Sequence, residues 1–211
     1  MTELTASYAN AAAFNPNYGY APDHPEFARL LGHLASAALP ETGPSVHALS
    51  GFGGSGKSTV AWSLTKHAGV QVVPYDAFYT GRQDVVAPDW ETYDDGALVE
   101  TVIEPLRTGR PARYHPRDWI TGETGAAITL DPARPVVVEG VGLLKPDLAQ
   151  EFNGRLVWVE RALELAVRDG IARGPESSQS WLDYWGPSDL AFYVRHNPPA
   201  RATHIFKRPA E

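Results

Sequence analysis

The segment Gly51 to Thr59, with the sequence GFGGSGKST, constrains the fold of this chain more than any other stretch. Its residues at 51, 56, 57 and 58 satisfy the spacing G-x-x-x-x-G-K-[ST] in full. Two additional glycines, at 53 and 54, allow consecutive backbone N–H groups to turn inward around an anion, because glycine has no Cβ. The spacing therefore predicts a phosphate-binding loop (P-loop) formed by Gly51, Phe52, Gly53, Gly54, Ser55, Gly56, Lys57, Ser58 and Thr59.

The residue types of the P-loop indicate which ligand it holds. Lys57 is expected to contact the β- and γ-phosphates of a nucleoside triphosphate, and Ser58 is expected to offer its hydroxyl to Mg²⁺. The helix predicted to follow directs its positive N-terminus at the same phosphates. A glycine-rich turn with an accidental lysine is the alternative, but the loop lies between a predicted strand and a predicted helix, which is the context the motif requires. ATP and Mg²⁺ are the predicted cofactors, and GTP in place of ATP is left open.

Apolar strands and helices alternate along the rest of the chain. The patterns predict strands at 46–50, 70–73, 136–138, 156–159 and 203–206, and helices at 26–39, 58–67, 94–107, 161–172 and 189–195. This alternation predicts an α/β chain in which helices cover both faces of a mostly parallel sheet, and together with the P-loop it predicts the three-layer fold of P-loop NTPases.

The segments between these elements complete the predicted organisation. One domain is expected over 1–211, with a leader and the first helix in 1–44. Loops are predicted at 75–90 and 114–124. A mobile lid is predicted at 173–188, because the stretch is rich in Gly, Pro and Ser. Its Trp181 and Trp185, like Trp119, are interpreted as interior packing residues.

Composition excludes several classes of partner and chemistry. The formal charge of -7, without any block of Lys and Arg, offers nucleic acid no basic surface. No stretch approaches the roughly 18 uninterrupted apolar residues that a membrane span needs. No cysteine is present, so disulfides, thiolate metal sites and thiol nucleophiles are excluded. Since no Lys or Arg precedes Arg29, no targeting peptide is predicted and the cytoplasm is the expected location.

Two acids follow apolar strands directly, Asp76 after QVVPY and Glu139 after VVV. Ligand-contacting groups of doubly wound sheets collect at these strand ends, so both carboxylates should face one cleft. Phosphoryl transfer to a hydroxyl needs one carboxylate to accept or orient the hydroxyl proton and another to hold the magnesium. Simple capping of a loop is the alternative for either acid, and which of the two is the base is left open.

Four segments carry a resemblance to a known family. The P-loop GFGGSGKST, then YDAFY, VVVEGVGLL and VRDGIARG, in that order, resemble the uridine kinase-like branch of the uridine kinase and phosphoribulokinase superfamily. The resemblance spans about residues 45 to 206. It implies transfer of the γ-phosphoryl group of ATP to a hydroxyl of a small molecule, such as a nucleoside or another polyhydroxylated metabolite.

The resemblance also implies roles for individual residues. Asp76 would be the base toward the acceptor hydroxyl, with Tyr79 lining the acceptor pocket. Glu139 would be the Walker B-type acid near the magnesium. Asp94, in WETYDD, looks like the family carboxylate that grips acceptor hydroxyls.

Two further segments take part by resemblance. YHPRDW is similar to the acceptor-side loop, with substrate contacts at Tyr114, His115, Arg117 and Asp118. For His115 a surface-loop histidine is the alternative. The family places lid arginines at the positions of Arg168 and Arg173, where they neutralise the transferring phosphoryl group and join Lys57 and Asp76 as the catalytic set.

Other functions are weighed against this one. Glu164 and Leu165 stand where family lids often carry arginines, and Thr80 stands where a basic residue is common, so the acceptor is not named. A P-loop alone also fits an NTPase switch that acts on a protein partner. The guanine-reading Asn-Lys-x-Asp is missing and the lid arginines are present, which favours transfer. An inactive relative kept for assembly is a third reading, and a homo-oligomer is left open.

Overall fold

A parallel sheet forms the centre of the fold. The computed structural model describes residues 19–37, 40–81, 85–118, 121–173 and 178–208. The strands in these ranges are β1 (Val46–Gly51), β2 (Gln71–Pro74), β3 (Ala112–Tyr114), β4 (Ile128–Leu130), β5 (Val136–Gly140), β6 (Leu156–Glu160) and β7 (His204–Lys207). Five of them form the parallel sheet in the order β2-β5-β1-β6-β7, and β3 pairs with β4 in a small antiparallel sheet.

Helices cover both faces of the parallel sheet. They are α1 (Pro25–Ala35), α2 (Lys57–Ala68), α3 (Asp95–Leu98, Val99–Ile103 and Glu104–Arg107), α4 (Pro146–Ala149), α5 (Leu163–Arg173) and α6 (Ser178–Ser180, Trp181–Trp185 and Gly186–His196). Side chains of α1 and α2 pack on one face, and those of α3 and α6 pack on the other. These three layers confirm the predicted fold class.

The strand sequences explain why both faces are covered. In β5, Val136 and Val138 belong to the cluster with α3 and α6, whereas Val137 belongs to the cluster with α1 and α2. Successive side chains of a strand point to opposite faces, so a run of valines can be buried only between two helical layers. In the described part of the chain, no helix is long and apolar enough to cross a membrane.

No helix was predicted within 173–188, and this is wrong from Ser178 onward. Residues 174–177 lie outside the described ranges, and α6 then runs to His196. Trp181 is only 5% exposed, so the segment packs as a helix despite its Gly and Pro. Trp181 therefore has the interior position that was predicted, Trp185 is half-buried, and Trp119 lies outside the described residues.

Proline is accommodated inside helices by a π turn in two places. The π turn Val99–Ile103 precedes Pro105 in α3, and Trp181–Trp185 precedes Pro187 in α6. Proline has no N–H and disturbs the regular hydrogen-bond pattern of an α-helix, while a π turn shifts that pattern by one residue. The sequence predicted the end of α6 as a helix at 189–195 but missed its first part, 178–188, because Gly and Pro were treated only as helix breakers.

Two predicted loops contain regular structure. Tyr75–Phe78 forms a 3₁₀ turn, and Tyr114 ends β3 instead of opening a loop. The residues of β3 alternate between buried and exposed, which is a strand pattern too short to recognise from sequence. The first helix, predicted at 26–39, ends at Ala35. Residues 38–39, and residues 1–18 of the predicted leader, lie outside the described ranges.

His47 on β1 gives the folded chain a pH dependence. It is 3% exposed, and its Nδ1 accepts a hydrogen bond from the backbone N–H of Arg155 at 2.8 Å. Burial, with a smaller effect of the Arg155 charge, lowers the pKa of this imidazole from 6.5 to about 4. The unfolded chain therefore binds the proton more tightly. The stability from neutral His47 is complete above pH 6.5 and is lost as the pH falls through about 4.

We expect protonation of His47 to lower the free energy of unfolding of the wild type by about 3 kcal/mol as the pH falls from 7 to 4. His47→Gln does not titrate, so its unfolding free energy should fall by about 3 kcal/mol less over the same interval. Urea unfolding followed by circular dichroism measures both curves. His67→Gln, which replaces an exposed histidine of α2, is the control. Parallel curves for the wild type and His47→Gln would contradict the assignment.

Candidate active site

The carboxyl ends of three neighbouring strands bring the predicted groups together. In the sheet register, Glu139 of β5 lies beside Leu49 of β1 and Pro74 of β2. The P-loop leaves β1 at Gly51, and Asp76 follows β2 by two residues. Asp76 and Glu139 both line one cleft with the P-loop, as predicted, and the cleft encloses about 110 Å³.

The P-loop is held by close backbone contacts. Gly54 has φ +77°, and a Cβ there would lie 2.0 Å from the carbonyl oxygen of Ala166 in α5. Only glycine fits that conformation and that distance. Phe52 packs against Trp158 of β6, with ring centroids 5.3 Å apart. The loop is therefore shaped by α5 and β6 as well as by its own sequence.

Lys57 is a buried cation among acids. It is 7% exposed, and its Nζ donates a hydrogen bond to the Phe52 carbonyl oxygen at 2.8 Å. Burial lowers the pKa of this ammonium group, and the nearby carboxylates Glu139, Asp189 and Asp76 oppose that change. An ammonium in this position is suited to neutralise an anionic ligand in the cleft.

Ser58 and Glu139 lie next to each other at the base of the P-loop. The Ser58 hydroxyl donates a hydrogen bond to Glu139 Oε1 at 3.1 Å. Glu139 is 4% exposed, and burial raises the pKa of its carboxyl to about 7 despite the opposing charge of Lys57. One hydroxyl and one carboxylate are the hard oxygen donors that Mg²⁺ takes from proteins when phosphates supply further ligands. The pair fits the predicted magnesium site.

Asp76 is exposed and is oriented by a tyrosine. The Tyr93 hydroxyl donates a hydrogen bond to Asp76 Oδ1 at 2.9 Å. The Tyr93 ring stacks on Tyr75 with centroids 4.4 Å apart, and burial raises its pKa well above the ordinary value. Tyr93 therefore remains a donor and holds one oxygen of this carboxylate, and Asp76 lines the cleft.

Aromatic side chains form the wall beside Asp76. Tyr79 is 2% exposed, and its ring lies 6.0 Å from that of Trp185. Trp90 stacks on Trp185 at 5.8 Å and has a positive φ of 52°, which is rare for a bulky residue. A Cβ at Gly142 would lie 2.8 Å from the Trp90 side chain, so this glycine makes room for it. Strained residues of this kind cluster at functional sites.

About half of the predicted site residues line the cleft. They are Gly53, Gly54, Gly56, Lys57, Ser58, Asp76, Tyr79, Glu139 and Arg173. The other P-loop residues, at 51, 52, 55 and 59, support the loop from outside the cleft lining. Sequence reasoning missed six side chains of the lining: Trp90, Tyr93, Val141, Asp189 and, as cleft residues, Trp181 and Trp185. Their positions depend on contacts between distant segments, for which the sequence carries no motif.

Apart from Tyr79, the predicted acceptor residues lie outside this lining. Asp94 caps α3, since its Oδ1 accepts the Ala97 N–H at 2.8 Å. Tyr114 is 2% exposed and stacks on Phe78 at 5.5 Å, so it is a core residue. His115 is exposed and its Nδ1 lies 3.2 Å from the Gly125 carbonyl oxygen. These contacts are structural, and a role in acceptor binding stays a prediction for each of the three.

The loop after β3 nevertheless reaches the strand-end segment. The Arg117 N–H donates to the carbonyl oxygen of Ala77, the residue after Asp76, at 3.0 Å. Asp118 closes its own turn, with Oδ1 accepting the Thr121 N–H at 2.8 Å. The backbone therefore places this loop beside the cleft, while roles for the two side chains in substrate binding stay predictions.

The two lid arginines are separated by the structure. Arg173 lines the cleft, and its charge acts on both Lys57 and Glu139. Arg168 instead pairs with Asp169 at 3.0 Å, and the same carboxylate also binds Arg161 at 2.7 Å. Only Arg173 has the position expected for a group that contacts a transferring phosphoryl.

Asp189 of α6 is the least expected group of the cleft. It is 2% exposed, and its Oδ2 accepts the Gly53 N–H at 2.7 Å. Burial raises the pKa of this carboxyl to about 7, against the lowering effect of Lys57 and the Gly53 hydrogen bond. The cleft thus holds two buried carboxyls, Glu139 and Asp189, whose charges both act on the ammonium of Lys57.

Comparison with known proteins places this site in a recognised fold. No protein-family model matches the chain, and no curated protein sequence matches it. A structure from Bacillus stearothermophilus, described as a possible uridine kinase, matches with a TM-score of 0.67 and 17% identity, over 86% of this chain and 97% of that chain. A structure from Silicibacter sp., provisionally named a fructose transport system kinase, matches with a TM-score of 0.66 and 20% identity, over 85% of this chain and 98% of that chain.

The chain therefore has the fold of the P-loop kinases. The predicted resemblance to uridine kinase-like proteins is confirmed at the level of the fold. Identities of this size carry no information on the acceptor, because one fold hosts many substrates.

Proposed function

We propose that the chain is an ATP-dependent phosphotransferase that moves the γ-phosphoryl group onto a hydroxyl of a small molecule. The observation that supports this most is the meeting of Lys57, the Ser58–Glu139 pair and Asp76 at one edge of the sheet. A phosphate-binding cation, a hydroxyl and carboxylate pair for magnesium and a second, exposed carboxylate are the groups that phosphoryl transfer to an alcohol needs. The fold of the two structural neighbours agrees with this proposal.

Each group has a task in the proposed reaction. The P-loop amides and Lys57 bind the phosphates, and Ser58 and Glu139 hold Mg²⁺. The metal, when bound, neutralises charge on the β- and γ-phosphates. Arg173 stabilises charge on the equatorial oxygens of the transferring group. Asp76, held by Tyr93, orients the acceptor hydroxyl and takes its proton as the new O–P bond forms and the bond to ADP breaks.

Further parts of the proposal extend beyond the cleft. We assign the chain one kinase domain, with Arg173 to Ser188 as its lid and a small-molecule alcohol as its partner. A nucleoside or another polyhydroxylated metabolite is the proposed acceptor class. The aromatic wall of Tyr79, Trp90 and Trp185 beside Asp76 supports an acceptor with a ring that packs on aromatic faces.

The function is tested by acceptor-dependent ADP formation. The purified chain with Mg-ATP is expected to release ADP faster when the correct alcohol is added from a panel of nucleosides, sugars, sugar acids and amino alcohols. Phosphorus NMR should then show a new phosphomonoester in an amount equal to the ADP. ATP hydrolysis that no alcohol stimulates, together with a stable complex with another protein, would instead favour a nucleotide-dependent switch.

A further inference from the structure

One of the amides predicted to bind phosphate already has an anionic partner within the chain. The Gly53 N–H donates to Asp189 Oδ2 at 2.7 Å, although 136 residues separate the two positions. A carboxylate oxygen resembles a phosphate oxygen in both charge and hydrogen-bonding capacity. Asp189 therefore supplies to the P-loop the kind of group that a nucleotide would supply.

The neighbouring segment of α6 closes over the same part of the loop. A Cβ at Gly53 would lie 3.0 Å from the Trp181 ring and 3.3 Å from Asp189 Oδ2. The Trp181 ring also packs against α5, where a Cβ at Gly170 would lie 2.5 Å from it. Trp181 and Asp189 thus pack on Gly53 together, and both line the cleft.

The Lys57 ammonium also has a hydrogen-bond acceptor within the chain. Its Nζ donates to the Phe52 carbonyl oxygen at 2.8 Å, within the loop that it would leave to reach a phosphate. Two phosphate-binding groups, the Gly53 amide and the Lys57 ammonium, therefore both have internal acceptors in this conformation.

Charge makes simultaneous occupancy unfavourable. A phosphate group at the Gly53 amide would lie beside the ionised carboxylate of Asp189, in a site where both are removed from water. Like charges at contact distance repel far more strongly there than in solvent. Burial already raises the pKa of the Asp189 carboxyl to about 7, which reflects how poorly this environment tolerates its negative charge.

We propose that Asp189 is an internal competitor for the nucleotide phosphates, which bind only when the Trp181–Asp189 segment moves its carboxylate off the Gly53 amide. The proposal rests on nucleotide entering the P-loop, as in the proposed function, and is independent of transfer to any acceptor. It makes α6 a gate that lowers the affinity of the free chain for nucleotide.

The affinity of Asp189→Asn for Mg-ADP tests the gate. Asparagine keeps the size of the side chain and an oxygen acceptor but removes the charge. At pH 8, where the Asp189 carboxyl is mostly ionised, the dissociation constant measured by titration calorimetry should fall about tenfold relative to the wild type. Asp183→Asn, which changes an exposed aspartate of the same helix, is the matched control and should bind as the wild type does. Equal or weaker binding by Asp189→Asn overturns the proposal.

A second measurement needs no variant. Hydrogen exchange of the wild-type backbone is compared with and without Mg-ADP. Release of the gate should speed exchange in residues 186–192, while ligand contacts slow it in residues 51–59. Slower or unchanged exchange in 186–192 would mean that α6 stays on the loop when nucleotide binds, and the proposal would fail.

The two proposals fail separately. Tighter Mg-ADP binding by Asp189→Asn without acceptor-dependent turnover would support the gate and contradict the proposed kinase function. Acceptor-dependent turnover with equal Mg-ADP affinities for the wild type and Asp189→Asn would contradict the gate and support the proposed kinase function.

Discussion

Lys57→Met is expected to weaken the binding of Mg-ATP by on the order of 10²-fold or more. Among the described residues that line the cleft, Lys57 is the only buried cation, and the carboxylates of Glu139, Asp189 and Asp76 act on its ammonium. Methionine keeps the length of the side chain and removes its charge. The phosphates would then enter a site that holds acids without the buried cation, so repulsion replaces attraction.

Titration calorimetry measures this loss directly. The matched control is Lys66→Met, which removes an exposed lysine from the same helix, α2, and should leave the affinity unchanged. Circular dichroism separates lost binding from lost folding, since a folded Lys57→Met with no binding heat locates the defect in the site. An affinity close to that of the wild type would show that Lys57 does not contact phosphate.

The parts of the site that sequence predicted are those that local spacing determines. The P-loop spacing, a preceding apolar strand and a following helix together specify a strand–loop–helix unit, and β1, Gly51 to Thr59 and α2 form it. Asp76 and Glu139 were placed at one edge because the carboxyl ends of parallel strands meet there. Both predictions needed only the period of the strands and the position of each acid relative to its strand end.

Spacing along the sequence did not predict which way individual side chains point. Asp94, Tyr114 and Arg168 were placed in the site by their position in a motif, yet each has a nearer partner. Asp94 caps the helix that starts after it, Tyr114 stacks on Phe78, and Arg168 pairs with the adjacent Asp169. Local capping, packing and pairing competed with the site for these groups, and motif spacing does not reveal that competition.

The missed residues come from long-range contacts. Asp189 reaches Gly53 only because α6 folds back over the P-loop, and that helix was itself predicted as irregular between 178 and 187. Trp90 enters the cleft through a backbone conformation that tryptophan rarely adopts, with room provided by Gly142. Neither contact has a sequence signal, since each depends on tertiary packing between separate segments.

Asp76→Asn is expected to slow acceptor phosphorylation by about 10²–10⁴-fold while leaving the affinity for Mg-ATP nearly unchanged. Asparagine retains an oxygen for the Tyr93 hydroxyl but cannot take the acceptor proton. The affinity is preserved because the substitution leaves the Ser58–Glu139 pair and the P-loop amides unchanged, and removing a negative charge from the cleft does not weaken the binding of an anion. Single-turnover rates and calorimetric affinities measure the two effects, with Asp147→Asn, an exposed aspartate of α4, as the control.

The same experiment decides between the two strand-end acids. If Asp76 is the base, Tyr93→Phe should slow transfer by a smaller factor, about tenfold, because it frees the carboxylate without removing it. Glu139→Gln should then act mainly through a weaker response to Mg²⁺, which added metal partly restores. If Asp76→Asn transfers at the wild-type rate and Glu139→Gln stays slow at saturating Mg²⁺, Glu139 is the base. The hydrogen bond between Tyr93 and Asp76 would then be structural, because it would hold a carboxylate that the reaction does not use.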